Sequence, residues 1–306
     1  MIGEALALVE EALEGAVESD VGLLSGASKR FIGSGGKRLR PKVCLLSCKA
    51  AGGEDILQAV PVAAAVKLLH TASLIHDDIN DHSDMRRGQA SVNAQWGHDL
   101  ALLIGDFVFA RLLRLMAAFD ARVIQVLADC CTAIVEGETV QMLRQGDAEM
   151  TEKDCLAIIA RKTASLFSAC AELGGILAGA ADAQVNGLRE YGLNLGLAFQ
   201  IRDDTLDLVS KRDELGKPVA SDLEQGKMSL ATLFALRKSQ RAREVLLSKD
   251  AAQAIQLLHD TGALEYAMLK AREYSDRAKR ALSALPESQA KAGLCKLADF
   301  AVARDQ

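Results

Sequence analysis

Apolar residues recur at helical spacing along most of the chain. The pattern predicts an amphipathic helix over residues 3–18 and, after a break at Gly33, Gly35 and Gly36, a helix that ends near Ala51. Pro61 suits the first turn of the next helix, because a proline there gives up no helical hydrogen bond. The longer helices are predicted over 61–81, 98–118, 121–145, 153–180 and 185–209, with helical patterns again over 229–304.

Two polar segments interrupt this pattern. Residues 82–89 predict a loop, which is followed by a short helix over 91–96. Residues 211–228 lack periodicity and contain Gly216, Pro218 and Gly226, so they predict a loop or flap.

Composition supports helices over strands. Half of the 306 residues are hydrophobic, only 4% are aromatic, and four are prolines. Alanine and leucine, which dominate, enter helices at little cost, whereas strands favour β-branched and aromatic residues. No linker or low-complexity segment divides the chain, so we expect one all-α domain over residues 1–306.

Charge and cysteine usage exclude several classes of protein. The net charge is −5, and no basic stripe of the kind that binds nucleic acid is present. Seven cysteines without a CxxC pair indicate reduced, buried thiols. The acidic N-terminus differs from a signal peptide, and charges interrupt the apolar runs before the ~18–20 residues of a membrane span. We expect a soluble, cytoplasmic protein without a stable membrane span.

Two acidic clusters carry the candidate chemistry. Each follows an apolar helix, and the segments 74–81 and 200–207 echo each other; the clusters are Asp77, Asp78, Asp81 and Asp203, Asp204, Asp207. Residues four apart share one helix face, where like charges repel by a few tenths of a kcal/mol. Mg²⁺ offsets that repulsion, because it binds one or two carboxylates together with substrate phosphates and water. The echo predicts two equivalent helix ends that meet at one metal site.

The motifs resemble those of the trans-prenyl diphosphate synthases, or polyprenyl synthetases, from Gly35 to about Arg304. In order they are GGKRLRP (35–41), LLHTASLIHDDINDHSDMRRG (68–88), GDFVFA (105–110), GETVQ (137–141), RKTASLF (161–167), FQIRDDTLD (199–207) and SDLEQGK (ending at 227). The resemblance implies the isoprenoid synthase fold, a single-domain bundle of long, mostly antiparallel helices around a deep central cavity, usually in a homodimer.

The resemblance also implies a reaction. An allylic diphosphate ionises, isopentenyl diphosphate attacks the carbocation head to tail, and a proton is lost, plausibly to the released diphosphate. Asp77, Asp81 and Asp203 would hold the Mg²⁺ ions, three per site and replaceable by Mn²⁺. Asp78, Asp204 and Asp207 would complete the ligation. Cations placed in advance stabilise charge as it develops on the leaving group.

Basic residues divide between the two substrates in the same family pattern. The allylic diphosphate would be bound by Arg86, Lys162, Thr163, Gln200, Lys217 and Lys227, of which Lys162 and Lys217 count with Asp77, Asp81 and Asp203 as catalytic. Isopentenyl diphosphate would occupy a metal-free pocket formed by Lys37, Arg40, His70 and Arg87. A diphosphate that is only held needs fixed Arg and Lys donors.

Small residues before the first cluster bear on product length. Ser73 and Ala72, four and five residues before Asp77, lie roughly 6–7.5 Å along the helix from it. Bulky aromatics at these positions stop chain growth early in the family, so small ones imply a hexaprenyl to nonaprenyl product, with octaprenyl as the best estimate. Phe107 and Phe109 are candidates for a deeper wall or for the core.

Departures from the family pattern occur at Lys67, Ala220 and Ala231, and they put flap geometry and rate in doubt rather than activity. Three enzyme alternatives remain: a short-chain farnesyl or geranylgeranyl diphosphate synthase, a terpene cyclase or head-to-head synthase, and a catalytically weak partner subunit of a heteromeric synthase. The second basic pocket argues against a cyclase, and six intact aspartates argue against a partner subunit. A non-enzymatic helical scaffold is the remaining reading.

Overall fold

The described part of the chain is almost entirely helical. The computed structural model describes residues 2–33, 36–86, 88–209, 226–239, 241–247 and 251–303. Arg87, Lys217 and Ala220 lie outside these residues, as does most of the predicted flap over 211–228. In the described residues the only strands form a small antiparallel hairpin. The predicted all-α fold is confirmed, while the single domain over 1–306 stays a prediction.

Helices follow one another with short connections. They are α1 (Ile2–Ala16), α2 (Gly22–Gly33), α3 (Leu39–Ala50), α4 (Val60–Asn80), α5 (Val92–Trp96), α6 (His98–Met116), α7 (Ala121–Leu143), α8 (Glu152–Ile159), α9 (Ser165–Leu177), α10 (Asp182–Val209), α11 (Leu230–Lys238), α12 (Ala242–Leu247), α13 (Ala251–Asp260), α14 (Ala263–Ala281) and α15 (Gln289–Val302). The hairpin strands are β1 (Met85–Arg86) and β2 (Gln89–Ala90), and a π-turn (Ala160–Ala164) separates α8 from α9.

Two compact units make up the chain, and the first is built around α4. This unit comprises Met1–Cys131, Ala169–Arg189 and Ser283–Leu294. Helix α4 is apolar on nearly all sides, and α1, α3 and α6 pack against it. Helix α1 buries Ala5, Val9 and Leu13 at steps of four residues, which is the stripe that an amphipathic helix turns toward a core.

The second unit comprises Thr132–Ser168, Glu190–Leu282 and Cys295–Gln306. Its core contains Ile158, Ile201, Leu233 and Leu258. Helix α11 packs on α14, where the rings of Phe234 and Tyr266 stack with centroids 4.3 Å apart. The burial of these apolar side chains stabilises the unit mainly through the hydrophobic effect.

Several details differ from the sequence prediction. Helix α2 was not predicted, the predicted loop 82–89 contains most of the hairpin, which ends at Ala90, and the π-turn interrupts the predicted helix 153–180. All seven cysteines are free thiols, and five are buried, as predicted. Within the described residues one stretch, Ile56–Asn80, is long and apolar enough to cross a membrane, but 72% of its most apolar window is buried, as befits a core helix.

Candidate active site

The first acidic cluster forms the C-terminal turn of α4. The backbone N–H of Asp81 donates to the carbonyl of Asp77 at 2.8 Å, so the two residues close one helical turn. Both are half-buried. Their side chains therefore project from one face at the end of a core helix, as the spacing predicted.

This face of α4 extends back from the cluster. His70, Ser73, Asp77 and Asp81 are all half-buried, on a helix that is otherwise largely buried. The Ser73 hydroxyl donates to the carbonyl of His70 at 3.0 Å, which folds this small side chain against its own helix. Ala72, by contrast, is only 2% exposed. Of the two predicted chain-length residues, only Ser73 thus lies on the face of α4 formed by His70, Ser73, Asp77 and Asp81, which we call the half-open face.

Asp78, the middle residue of the cluster, points into the protein. Its side chain is fully buried, and Nε and Nη2 of Arg86 donate to its Oδ1 at 2.7 and 2.5 Å. Arg86 is itself 16% exposed at its side chain. Hydrogen bonds between two charged groups are among the strongest in proteins. Asp78 therefore holds a predicted substrate-binding arginine in place.

The hairpin brings Arg86 back to α4. Arg86 pairs with Gln89 in the ladder, and Gly88 supplies the positive φ (+73°) that the tight turn requires. The N–H of Ser91 closes the loop by donating to the carbonyl of Asp84 at 2.9 Å. Part of the segment that the sequence predicts as a loop is thus a hairpin that places Arg86 beside α4.

The predicted isopentenyl diphosphate residues lie in the same unit. Lys37 is exposed and Arg40 is half-buried at the start of α3, while His70 lies on α4. Lys67, the family departure, is 5% exposed on α4. That these residues bind isopentenyl diphosphate stays a prediction, and Arg87 lies outside the described residues.

The second acidic cluster lies on α10. Asp203 is exposed, and Asp207, one turn later, is half-buried. Nε2 of Gln200 donates to Oδ1 of Asp204 at 2.7 Å, and the Thr163 hydroxyl donates to Oε1 of Gln200 at 3.0 Å. Here too the middle aspartate accepts a hydrogen bond from a neighbouring side chain.

Two glycines allow α10 to reach Thr163. A Cβ atom at Gly192 would lie 2.3 Å from the carbonyl oxygen of Phe167, and one at Gly196 would lie 2.4 Å from Cα of Ala164. Gly192, Gly196 and Gln200 are spaced at four residues and share a helix face. The close backbone approach at the glycines therefore sets Gln200 beside Thr163 one turn later.

Lys162 is positioned by the π-turn and by α7. Its Nζ donates to Oε1 of Gln141 at 2.9 Å and forms a short ion pair with Glu138. A Cβ at Gly137 would lie 2.6 Å from the backbone nitrogen of Lys162, so only glycine permits this approach of α7. The GETVQ motif thus supplies both the gap and two partners for the lysine.

Several of these polar side chains line a cavity of about 120 Å³ in the second unit. Its lining includes four of the residues predicted for the allylic diphosphate, namely Lys162, Thr163, Gln200 and Lys227, together with Asp204. The carbonyl of Gly226 accepts a hydrogen bond from the N–H of Gly146 at 2.9 Å, which fixes the backbone next to Lys227. The cavity lining thus combines two lysines with apolar side chains.

The outer aspartates fit a hard divalent cation by their chemistry and exposure. In the part of the chain that the structure describes, no group of three or more His, Cys, Asp or Glu side chains is arranged to hold a metal. Each cluster instead offers a pair of accessible carboxylates, and Mg²⁺ commonly uses one or two carboxylates and completes its shell with phosphates and water. That the two clusters meet at one site stays a prediction.

Sequence reasoning overlooked Glu138, Gln141 and the pairing of Asp78 with Arg86. The GETVQ motif was visible, but its glutamate and glutamine had no partner along the sequence. Lys162 lies 21 residues from Gln141. The only local signal was a glycine followed by two polar residues within a predicted helix.

Comparisons with known proteins find relatives over most of the chain. The profile of the polyprenyl synthetase family matches residues 21–260. A short chain isoprenyl diphosphate synthase of Methanothermobacter thermautotrophicus is 40% identical over 292 residues, covering 91% of this chain and 90% of that protein. Octaprenyl diphosphate synthase of Escherichia coli is 35% identical over 316 aligned positions, covering 100% and 96%. The crystal structure of polyprenyl synthase from Caulobacter crescentus, complexed with calcium and isoprenyl diphosphate, has a TM-score of 0.93 at 36% identity and covers 99% of this chain and 95% of that one.

Proposed function

The chain belongs to the polyprenyl synthetase family and is a prenyltransferase, and we propose that it condenses isopentenyl diphosphate with an allylic diphosphate. The reaction would require Mg²⁺ and would give a medium- or long-chain all-trans product. Octaprenyl diphosphate is the proposed product. The small side chains of Ala72 and Ser73, with Ser73 on the half-open face of α4 four residues before Asp77, carry the proposal on length.

The outer aspartates would hold the metal ions, about three per site with Mn²⁺ as a substitute. Asp77 and Asp81 would act from α4, and Asp203 and Asp207 from α10. When bound, the metal supplies positive charge that stabilises the departing diphosphate. These carboxylates are half-buried, except for the exposed Asp203, and they suit this role because a metal ion can reach them on helices that are anchored in a core.

The middle aspartates would contribute by positioning. Asp78 holds Arg86, and Asp204 holds Gln200, each through a hydrogen bond of 2.7 Å or less. We propose that these contacts, more than metal ligation, explain why each cluster contains two adjacent aspartates. Side chains that are fixed before the substrate arrives lose little freedom when it binds.

Arg86, Lys162 and Lys227 would bind the allylic diphosphate, and Lys217 would join them from the flap. The charge of the leaving group grows as the carbon–oxygen bond breaks, so donors held in place beforehand favour the transition state over the ground state. The released diphosphate would then accept the proton lost from the condensed product. No histidine base is required by this scheme.

Isopentenyl diphosphate would occupy the metal-free basic site of Lys37, Arg40, His70 and Arg87. Its diphosphate stays attached throughout, so it needs only fixed cationic donors. Thr163 and Gln200 belong to the allylic side of the proposed site. The diphosphate that leaves would thus be bound by metal ions and cationic side chains, whereas the diphosphate that stays attached would be bound by cationic side chains alone.

The proposed product length is tested by placing an aromatic side chain where the small residues would leave the cavity open, so that it forms a floor closer to Asp77. Ser73→Phe should shorten the product distribution seen by mass spectrometry, because an aromatic ring on the half-open face obstructs the growing chain. Ala72→Phe is the poorer test, since Ala72 is buried and added bulk in a packed core destabilises by about 1–3 kcal/mol. An unchanged distribution for a folded Ser73→Phe variant would contradict the cavity-floor idea.

A short-chain synthase is the second candidate. The relative from Methanothermobacter, a short chain isoprenyl diphosphate synthase, favours it at 40% identity. The two candidates differ in one observable, the mass of the product formed by the unmodified chain. Farnesyl or geranylgeranyl diphosphate as the end product would establish the second.

A homodimer in the cytoplasm is the proposed form of the enzyme. Helix α6 exposes Leu102, Leu103 and Leu113, which are 43%, 56% and 56% exposed on one side of the helix. An apolar stripe of this kind commonly marks a protein–protein interface. Sedimentation equilibrium would distinguish dimer from monomer, and activity of the purified chain alone would exclude a need for a second kind of subunit.

A further inference from the structure

We propose that helix α1 positions the isopentenyl diphosphate site through an ion pair between Glu10 and Arg38. This inference rests on the proposed function, in which Lys37 and Arg40 bind that diphosphate. Arg38 stands between them in sequence, and a sequence reading would place it with them as a third ligand. Glu10 lies before the first family motif and has no role in the proposed chemistry.

The guanidinium of Arg38 is already engaged on both sides. Its Nε donates to Oε1 of Glu10 at 2.6 Å and its Nη2 donates to Oε2 at 2.8 Å, which is the bidentate arrangement that suits Arg and a carboxylate. Nη2 also donates to the carbonyl of Ile32 near the end of α2, at 3.1 Å. Arg38 therefore ties α1 and α2 to the start of α3.

The backbone of Arg38 shows why such a tie is needed. Arg38 has φ 50° and ψ 36°, a left-handed conformation that a residue with a Cβ rarely adopts, and it is the N-cap of α3. Its side chain makes no cap hydrogen bond. A strained residue persists only where its surroundings determine it, and here the surroundings are Glu10 and Ile32.

The conformation at residue 38 sets the directions of its neighbours. The carbonyl of Arg38 accepts the N–H of Lys42 at 3.1 Å, so the left-handed residue leads directly into the first turn of α3. Lys37 precedes this bend and Arg40 lies in the first turn. A change at Arg38 would therefore turn Lys37 relative to Arg40, and two donors that share one diphosphate depend on that relation.

Helix α1 is anchored by buried apolar residues next to the ion pair between Glu10 and Arg38. Val9 and Leu13 are fully buried on either side of Glu10, and Ala5 and Val17 extend the same stripe. The Arg38 side chain is 17% exposed and that of Glu10 is 39% exposed, so the pair lies at the edge of the core. Glu10 is thus a positioning residue that acts through Arg38 and touches no substrate.

Glu10→Gln and Arg38→Gly test the inference on the full-length enzyme. Glycine adopts the left-handed conformation without strain, so Arg38→Gly still permits the turn but removes the contacts that hold residue 38 in it. Each variant should raise the KM for isopentenyl diphosphate about three- to fivefold, the scale of a partly exposed ion pair. The KM for the allylic diphosphate should stay within about twofold of wild type, and the double variant should behave like either single one. Glu11→Gln, on the exposed side of α1, is the matched control and should change neither KM.

The outcomes separate the inference from the function on which it rests. If Arg38→Gly raises the KM for isopentenyl diphosphate while Glu10→Gln leaves it unchanged or lowers it, Arg38 is itself a ligand and the inference is wrong. If neither variant changes that KM but Lys37→Ala raises it, the basic site stands and the role of α1 is refuted. If Lys37→Ala also has no effect, the proposed isopentenyl diphosphate site fails and the inference fails with it. Equal increases in both KM values would indicate general loosening and would also refute it.

Discussion

Asp78→Asn separates two roles for the middle aspartate of the first cluster. Asparagine keeps the size of the side chain and one oxygen acceptor but removes the charge. If Asp78 serves mainly to hold Arg86, the variant should weaken binding of the allylic diphosphate. If it serves as a metal ligand, the variant should raise the Mg²⁺ concentration required.

The contact geometry sets the size of the effect. Two nitrogens of Arg86 donate to one oxygen of a fully buried carboxylate, at 2.7 and 2.5 Å. A hydrogen bond to a charged group contributes about 1.5–3 kcal/mol, and removal of one charge roughly halves it. The loss of about 0.8–1.5 kcal/mol predicts that the Kd for the allylic diphosphate weakens roughly four- to twelvefold. Asp78→Ala is less informative, because a buried charge left without its partner costs about 3–5 kcal/mol of stability.

Calorimetry with a thiodiphosphate analogue of the allylic substrate, which binds but does not ionise, measures this Kd at saturating Mg²⁺. Asp77→Asn is the matched control, since it lies on the accessible face of the same turn and should raise the Mg²⁺ requirement. Arg86→Gln should weaken binding at least as much, because it removes the ligand itself, and Asp78→Asn should add little to that loss. An unchanged or tighter Kd for Asp78→Asn, or an Mg²⁺ requirement raised as much as in Asp77→Asn, would refute the positioning role.

Three further predictions follow from the second unit. Lys162→Gln should raise the KM for the allylic diphosphate about 10- to 100-fold, from the loss of a charged hydrogen bond, and leave that for isopentenyl diphosphate unchanged; equal changes in steady-state KM would contradict this. Gly196→Ala should lower the free energy of unfolding by about 1–3 kcal/mol, since its Cβ meets backbone at 2.4 Å, whereas Gly26→Ala, with open space around it, should not; denaturant titration compares the two. Burial and the 2.6 Å hydrogen bond to Glu152 raise the pKa of Tyr266 to about 12, so its contribution to stability is present below pH ~10 and is lost as the pH rises through 12. Tyr266→Phe should therefore lower Tm by about 2 °C at neutral pH and flatten the alkaline decline, and an unchanged alkaline profile would count against the pKa shift.

The sequence predicted the elements whose pattern is local. Helix α4 was expected over 61–81 and lies at Val60–Asn80, because an apolar run that begins at a proline and ends in a charged cluster has clear limits. The shared face of Asp77 and Asp81 followed from helical spacing alone. Helix α2 escaped prediction since its buried face consists mostly of Ser25, Ala27 and Ser28, which leave no hydrophobic period to detect.

Contacts between distant segments were beyond sequence reasoning. The π-turn at Ala160–Ala164 contains no glycine or proline, and the glycines that approach its backbone, Gly137 and Gly196, lie on other helices. The pairing of Arg38 with Glu10 spans 28 residues, and nothing in either neighbourhood indicates it. Motifs name the residues of a site, whereas the partners that orient them depend on which helices touch.

The product formed by the purified chain alone tests the central proposal most directly. The assay supplies isopentenyl diphosphate with geranyl or farnesyl diphosphate as primer, with Mg²⁺ or with excess chelator, and reads the product by mass. We expect elongation that requires the divalent metal and ends in the hexaprenyl to nonaprenyl range, centred on octaprenyl diphosphate. Elongation in the presence of chelator, termination at farnesyl or geranylgeranyl diphosphate, or no elongation without a second subunit would contradict the proposal.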